Sequence, residues 1–415
     1  MIGAGAAGMM AAIFAADTGA DTLLLERTRD GGRKILISGG GRCNILPARL
    51  DERRFVTDSS PNTLRNILRS WPLEEQITFF EQQLGLPLVE EEHSGKLFPR
   101  SNRARDVRDG LLALAAGKGV QFRPNTVVTG LSRGGSSWKV EQNGEETFQV
   151  DRVIVASGGL SVPNTGSDGL GLSILSTLGH TVHQTYPALT PIVADPAPFA
   201  HLAGVSITVT IMGRDAARTS AARGGFLFTH RGYSGPSVLD VSHVITRPRL
   251  EGEAAAQLTV QWTALDDRAW EAALRPEGTR TVAGVLRRNL PDRLADALAD
   301  LADVSGTREL AQLTRQERRR LVDVLVRGQL PWTGDEGYKK AEVTGGGVSL
   351  AEIDPRTMES KIHPGLFLCG EVLDAFGPIG GYNFLWAWAT GRAAGRAAGG
   401  RMSSPELARK SGPQT

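Results

Sequence analysis

The 415-residue chain predicts an α/β fold in which a Rossmann-like nucleotide-binding domain is interrupted by an inserted β-plus-helix domain. Three observations predict it. The chain opens on a glycine turn leading into a helix, Gly3-Ala4-Gly5-Ala6-Ala7-Gly8. A β-meander ends in a second bare turn, Ala156-Ser157-Gly158-Gly159. Near the far end an apolar strand, Phe367-Leu368-Cys369, runs into Gly370-Glu371 and then a helix led by Gly380-Gly381.

Each element has a local reason. The Ala-rich run after Gly8 predicts a helix to about Thr18, with Gly19 as its C-cap and Thr22 to Leu25 as a short strand. In a dinucleotide fingerprint the first glycine makes the tight turn, the second admits the pyrophosphate, and the third lets helix pack on strand. The helix start adds free N–H groups and a positive dipole end. Glu26, 18 residues past Gly8, is in register to accept hydrogen bonds from a ribose. Only Met1 and Ile2 precede the first glycine, whereas a strand usually runs about five residues. The expectation is therefore a natural start further upstream.

Periodicity then predicts helices over 61–84 and 103–116 and short strands between 120 and 155, with turns at Arg133-Gly134-Gly135 and Asn143-Gly144. From 188 the character changes. Four prolines (187, 191, 196 and 198) precede alternating strands and two Arg- and Leu-rich helices near 281–301 and 314–328. The predicted organisation is a discontinuous nucleotide-binding domain (1–187 and 336–400), an insert (188–335), and a disordered tail (401–415).

Composition bounds the partners. Gly is high, at 50 residues, which fits many backbone-to-ligand contacts rather than a fibrous chain. A formal net charge of +2 argues against nucleic acid as the main partner. The basic run 315–320 has apolar neighbours at helical spacing and reads as a solvated helix face. Two cysteines, Cys43 and Cys369, form no disulfide framework, and no run reaches the ~18 apolar residues of a membrane span. With no signal-peptide pattern, the expected location is the cytoplasm.

Seven segments, in order, carry a closer likeness: GAGAAG, GRKILISGGGRCN, GKLFPRS, ASGGLSVPNTGSDG, FLFTHRGYSGPSVLDVS, AEVTGGGVSLAEIDPRTMESK and LFLCGEVLDAFGPIGGYNFLWAWATG. Together they resemble the BaiN-like, aminoacetone oxidase-type flavoproteins over nearly the whole chain. Ser157 stands where that family usually carries Thr, and 245–335 matches loosely. The resemblance implies a glutathione-reductase-type FAD-binding Rossmann-like domain with the insert capping the flavin. It implies that Ser38, Gly39, Gly40, Arg42, Cys43 and Asn44 run along the flavin side of FAD. Arg33, Lys34 and Arg42 would meet pyrophosphate oxygens, where arginine can bind bidentately. It also places Gly3, Gly5, Ala6, Ala7, Gly8, Glu26, Arg27, Val128, Ser157, Gly158, Gly159, Gly370, Glu371, Gly380, Gly381, Tyr382, Asn383 and Phe384 at the cofactor.

Function follows from the same likeness. The expected activity is hydride transfer through flavin N5, from NAD(P)H to a conjugated small molecule. No second glycine fingerprint follows a strand, so the nicotinamide is expected to bind transiently. The alternatives are an amine or aminoketone oxidase using O₂ and a tRNA-modifying flavoprotein. His230 and Tyr233, in the matched FTHRGYSGP segment, are the candidate proton donors, with a satisfied turn residue as the equal alternative for His230. Neither cysteine has a partner at disulfide-reductase spacing, so both read as packing. The other histidines have no metal-ligand spacing.

Overall fold

The computed structural model describes residues 1–92, 94–144, 147–252 and 255–400; the expected tail lies outside them. A five-position parallel layer forms the centre. Leu23–Leu25 pairs with Gln121–Arg123, and Val153–Val155 pairs with Leu366–Leu368. Ile2 bridges to both Leu25 and Val155 and so joins the two pairs at the middle. The half-buried Met1 donates from its ammonium to Leu23 O at 2.7 Å, and desolvation pulls the ammonium pKa down to about 6.

The opening helix spans Ala6–Ala16, and the closing helix spans Tyr382–Gly399. They pack together without large side chains. Gly391, Gly395 and Gly399 lie against Ala7 O, Ala11 O and Ala15 O, where any Cβ would collide with backbone. Glycine repeats every four residues because that spacing keeps one helix face bare. The sequence pattern of the meander also appears, as antiparallel strands Val128–Gly134, Ser137–Gln142 and Thr147–Val150.

Two connections, near 188–192 and 330–343, join the insert to this domain. Its seven-stranded antiparallel sheet is centred on Ser206–Arg214 and Thr219–Phe228. Helices Val282–Leu286, Asp292–Leu301 and Arg315–Arg327 pack with it around a separate apolar core. The last begins on a Thr314–Glu317 capping box and buries Leu321, Val322 and Leu325. Helix Pro236–Val241 sets the insert against the nucleotide-binding domain. Its Asp240 accepts from Ile379 N at 2.8 Å and from Arg54 at 3.2 Å.

Candidate cofactor and substrate cleft

A cleft of about 720 Å³ runs between the two helix starts. At one end, Gly5 precedes the opening helix with no side chain capping the free N–H groups of the first turn. Gly5, Ala6 and Ala7 line the cleft, and open space faces Gly5. Gly3 also lines the cleft and Gly8 lies behind; a Cβ on Gly3 would stand 2.6 Å from Ala156 O and one on Gly8 would meet Gly3 O. At the other end Gly381, also uncapped, starts the closing helix. Two exposed dipole ends in one cleft suit a ligand with anionic groups near both.

The glycine loop connects these ends. Gly39, Gly40 and Gly41 have φ of 55°, 68° and 84°, the left-handed region that glycine occupies freely. A Cβ on Gly39 would press on Phe98 and Asn44 N, while open space faces Gly40. Asn44, with its amide oriented to satisfy both ends, accepts from Gly381 N at 3.0 Å and donates to Leu46 O at 3.1 Å. Cys43 lies under the loop, buried, and burial pushes its thiol up to about 12. Cys369 is equally buried, with its thiol raised to about 12. Neither is a thiolate at neutral pH.

Most charged groups in the cleft are already engaged. Glu26 accepts from Ala4 N at 2.7 Å and from Thr28 N at 2.8 Å. Arg27 pairs with Asp168, Arg33 with Asp30 at 3.0 Å, and Arg42 with Glu91 at 2.8 Å while lying over the Phe98 ring. Lys34 donates to Glu371 and to Ser161, each at 2.5 Å, and Glu371 also accepts from Ser161 Oγ at 2.6 Å and Thr344 N at 3.0 Å. Each of the three cations expected at a pyrophosphate thus lines the cleft with a carboxylate already as partner.

Of the other cofactor candidates, Ser38, Val128, Ser157, Gly158, Gly370, Gly380, Asn383 and Phe384 line the cleft. Asn383 is tied to Gly377 N and O, each at 2.9 Å. Gly8, Cys43, Gly159 and Tyr382 stand behind the lining, and the Tyr382 hydroxyl donates to Arg49 O at 3.2 Å.

The structure does not bring the insert's two candidates to the cleft. His230 is exposed at the turn between Thr219–Phe228 and Gly232–Ser234. Tyr233 is buried among Phe199, Phe226 and Phe228, and its hydroxyl donates to Pro331 O at 3.0 Å. Sequence reading passed over two other residues that do line it, Lys96 and Glu342. Both lie inside quoted segments (GKLFPRS and AEVTGGGVS), but neither sits in a spacing pattern that marks chemistry.

The residues fit FAD: an uncapped helix start for the pyrophosphate, a glycine turn that admits it, and a second helix start at the far end. A buried Ser157 hydroxyl without a partner adds an unused polar contact on the lining. No group of His, Cys, Asp or Glu among the described residues could hold a metal ion. No helix among the described residues is long and apolar enough to cross a membrane.

Fold and cleft define the class, an FAD-dependent oxidoreductase built on a Rossmann-type domain. The model described as "HI0933-like protein Rossmann domain" matches residues 1–397, and the chain belongs to that family. A 3-dehydro-bile acid delta(4,6)-reductase of Clostridium scindens is 31% identical over 413 residues, covering 97% of this chain and 98% of its own length. A ribosomal RNA dihydrouridine synthase of Escherichia coli is 32% identical over 397 residues, covering 94% and 95%. Among solved structures, a 3-ketosteroid delta1-dehydrogenase of Sterolibacterium denitrificans has the same fold, at TM-score 0.52 and 13% identity, with 96% of this chain and 98% of that one covered. With a relative named for ribosomal RNA, net charge alone does not set nucleic acid aside.

Proposed function

We propose that this oxidoreductase reduces a carbon–carbon double bond conjugated to a carbonyl, with NAD(P)H as the electron source. Bound FAD would supply a hydride carrier at its N5. The observation that carries the reading is the part of the cleft that the glycine turns leave over. There Val343, Ala375 and Ile379 make an apolar wall beside two charged side chains, Lys96 and Glu342. An apolar wall with a few polar groups is the usual make-up of a site for a flat organic substrate.

The two curated relatives support the same chemistry from different substrates. A 3-oxo bile acid with Δ4,6 unsaturation is a conjugated dienone, and the uracil C5=C6 bond is conjugated to the C4 carbonyl. One reaction class covers both names. In this reading the chain's residues bind and orient the acceptor, exclude bulk water from it, and deliver one proton.

Anaerobic titration with NADH and then NADPH tests the donor, and reoxidation tests the acceptor. The expected result is bleaching by one nicotinamide and recovery of colour on adding 2-cyclohexenone or a 4-ene-3-keto steroid, with the product gaining two hydrogens. Recovery only with uridine-containing ribosomal RNA moves the substrate class to the base. Recovery only with O₂, with peroxide formed from aminoketones, replaces this reading by the oxidase.

A further inference from the structure

We propose that Glu342 is the proton donor of this reaction and that Lys96 is the cation that holds the substrate's carbonyl oxygen. The proposal rests on the reduction of a conjugated double bond argued above. It comes from asking which cleft charges already have partners. Glu26, Arg27, Arg33, Lys34, Arg42, Asp168 and Glu371 are each held by a hydrogen bond or an ion pair. Among the described residues, Lys96 and Glu342 line the same cleft with neither. Glu342 is exposed and Lys96 half-buried, so both side chains are free to meet a ligand in the cleft.

The backbone at Glu342 is fixed although its side chain is not. Its N–H donates to Leu189 O at 3.1 Å, its carbonyl accepts from Ser161 Oγ at 3.2 Å, and the strand Val343–Val348 begins at the next residue. Here the chain returns from the insert, so Glu342 stands at the junction of the two domains. Solvent reaches the side chain, yet the protein around it withholds enough hydration to raise its pKa above the ordinary carboxylate value. Lys96 and Lys34 oppose that rise; burial, with Glu342 adding to it, raises Asp240 on the facing insert helix, where the Ile379 N–H, Arg54 and Lys96 oppose it. A carboxyl whose pKa is raised, in a cleft that also holds a cation, is suited to giving up a proton.

The step balances. Hydride adds to the substrate β-carbon, and the double-bond pair moves to leave an enolate whose oxygen faces the Lys96 ammonium. The Glu342 O–H bond breaks, and its proton forms the new C–H bond at the α-carbon. The carbonyl re-forms, and the Glu342 carboxylate is reprotonated by cleft water. The substrate is reduced by two electrons, and the cofactor is oxidised by the same two.

The test uses the FAD-loaded full chain as wild type, Glu342→Gln and Glu342→Asp. Reduction by nicotinamide and reoxidation by 2-cyclohexenone are timed separately in stopped flow. We expect reoxidation to slow on the order of 10²–10⁴-fold in Glu342→Gln, with partial recovery in Glu342→Asp. The wild-type reoxidation rate should fall as pH rises through the carboxyl's pKa, and that limb should vanish in Glu342→Gln. Infrared difference spectra of the unloaded protein should show a neutral carboxyl band that titrates in wild type and is missing in Glu342→Gln. Wild-type reoxidation rates in Glu342→Gln would overturn the proposal while leaving the proposed function standing. A wild-type protein that no conjugated carbonyl compound reoxidises sinks the proposed function, and the Glu342 assignment with it.

Discussion

Two contacts in this molecule are packed by opposite means, although the nucleotide-binding domain also carries aromatic pairs such as Phe384 and Trp388. In the nucleotide-binding domain, helices Ala6–Ala16 and Tyr382–Gly399 meet through glycine and alanine, backbone against backbone. In the insert, Phe199, Phe226, Phe228, Tyr233 and Trp262 fill the core ring against ring, with Phe228 and Trp262 stacked at 5.6 Å. Close backbone packing tolerates one residue type at each contact, whereas an aromatic core can be rearranged. The first kind of core is written in the sequence, and the second hardly at all.

Substitutions can break that contrast. Gly395→Val puts a branched side chain where even a Cβ collides with Ala11 O, and neither helix can withdraw without moving the cleft. It should cost upward of ~3 kcal/mol and lower FAD retention at the same time, measured by denaturant unfolding and flavin fluorescence. A variant that unfolds like wild type would show that the helices separate easily.

A smaller effect tests the seam between the domains. His243 is buried, its Nδ1 lies 3.1 Å from Asp240 O, and its ring packs edge-on to Phe376. Burial lowers its pKa from 6.5 to about 4, with Arg218 and Arg247 adding to the fall and Asp240 O and Asp215 opposing it. The folded protein keeps this ring neutral where the unfolded chain protonates it. Its contribution is therefore fully present above about pH 6.5, lost as pH falls towards 4, and amounts to at most about 3 kcal/mol. Thermal unfolding across that range should show the loss, and His243→Gln should flatten it.

The smallest effect belongs to Tyr233. Tyr233→Phe removes one hydrogen bond to Pro331 O, so it should cost about 1 kcal/mol and leave turnover unchanged. A large fall in kcat with unchanged stability would return Tyr233 to the chemistry.

What was legible follows the same division. Gly3 and Gly8, the run Gly39 to Gly41, and the turn at Gly380-Gly381 could be read because their conformations or close approaches exclude other residues. The partner that holds Arg42, Glu91, could not be read, since it lies 49 residues away and reaches Arg42 only through the fold. Tyr233 looked functional because it neighbours His230 in a matched segment. Alternation along its strand turns it into the insert's core instead. Lys96 and Glu342 had no local signal, since they converge from segments far apart in the chain. Helices Pro236–Val241 and His243–Glu251 also went unread, the second with Pro248 inside it.

The glycine contact between the first and last helices also acts as a ruler. Gly391 sits on Ala7, Gly395 on Ala11 and Gly399 on Ala15, so the two helices run parallel in fixed register. The closing helix therefore begins about eight residues ahead of the opening one, a stagger of roughly 12 Å at 1.5 Å per residue. Both positive ends point the same way at two set depths along one cleft. A molecule with acceptors at only one depth would engage half of that device, and slipping the contact by one turn would change the length it measures by about 5 Å.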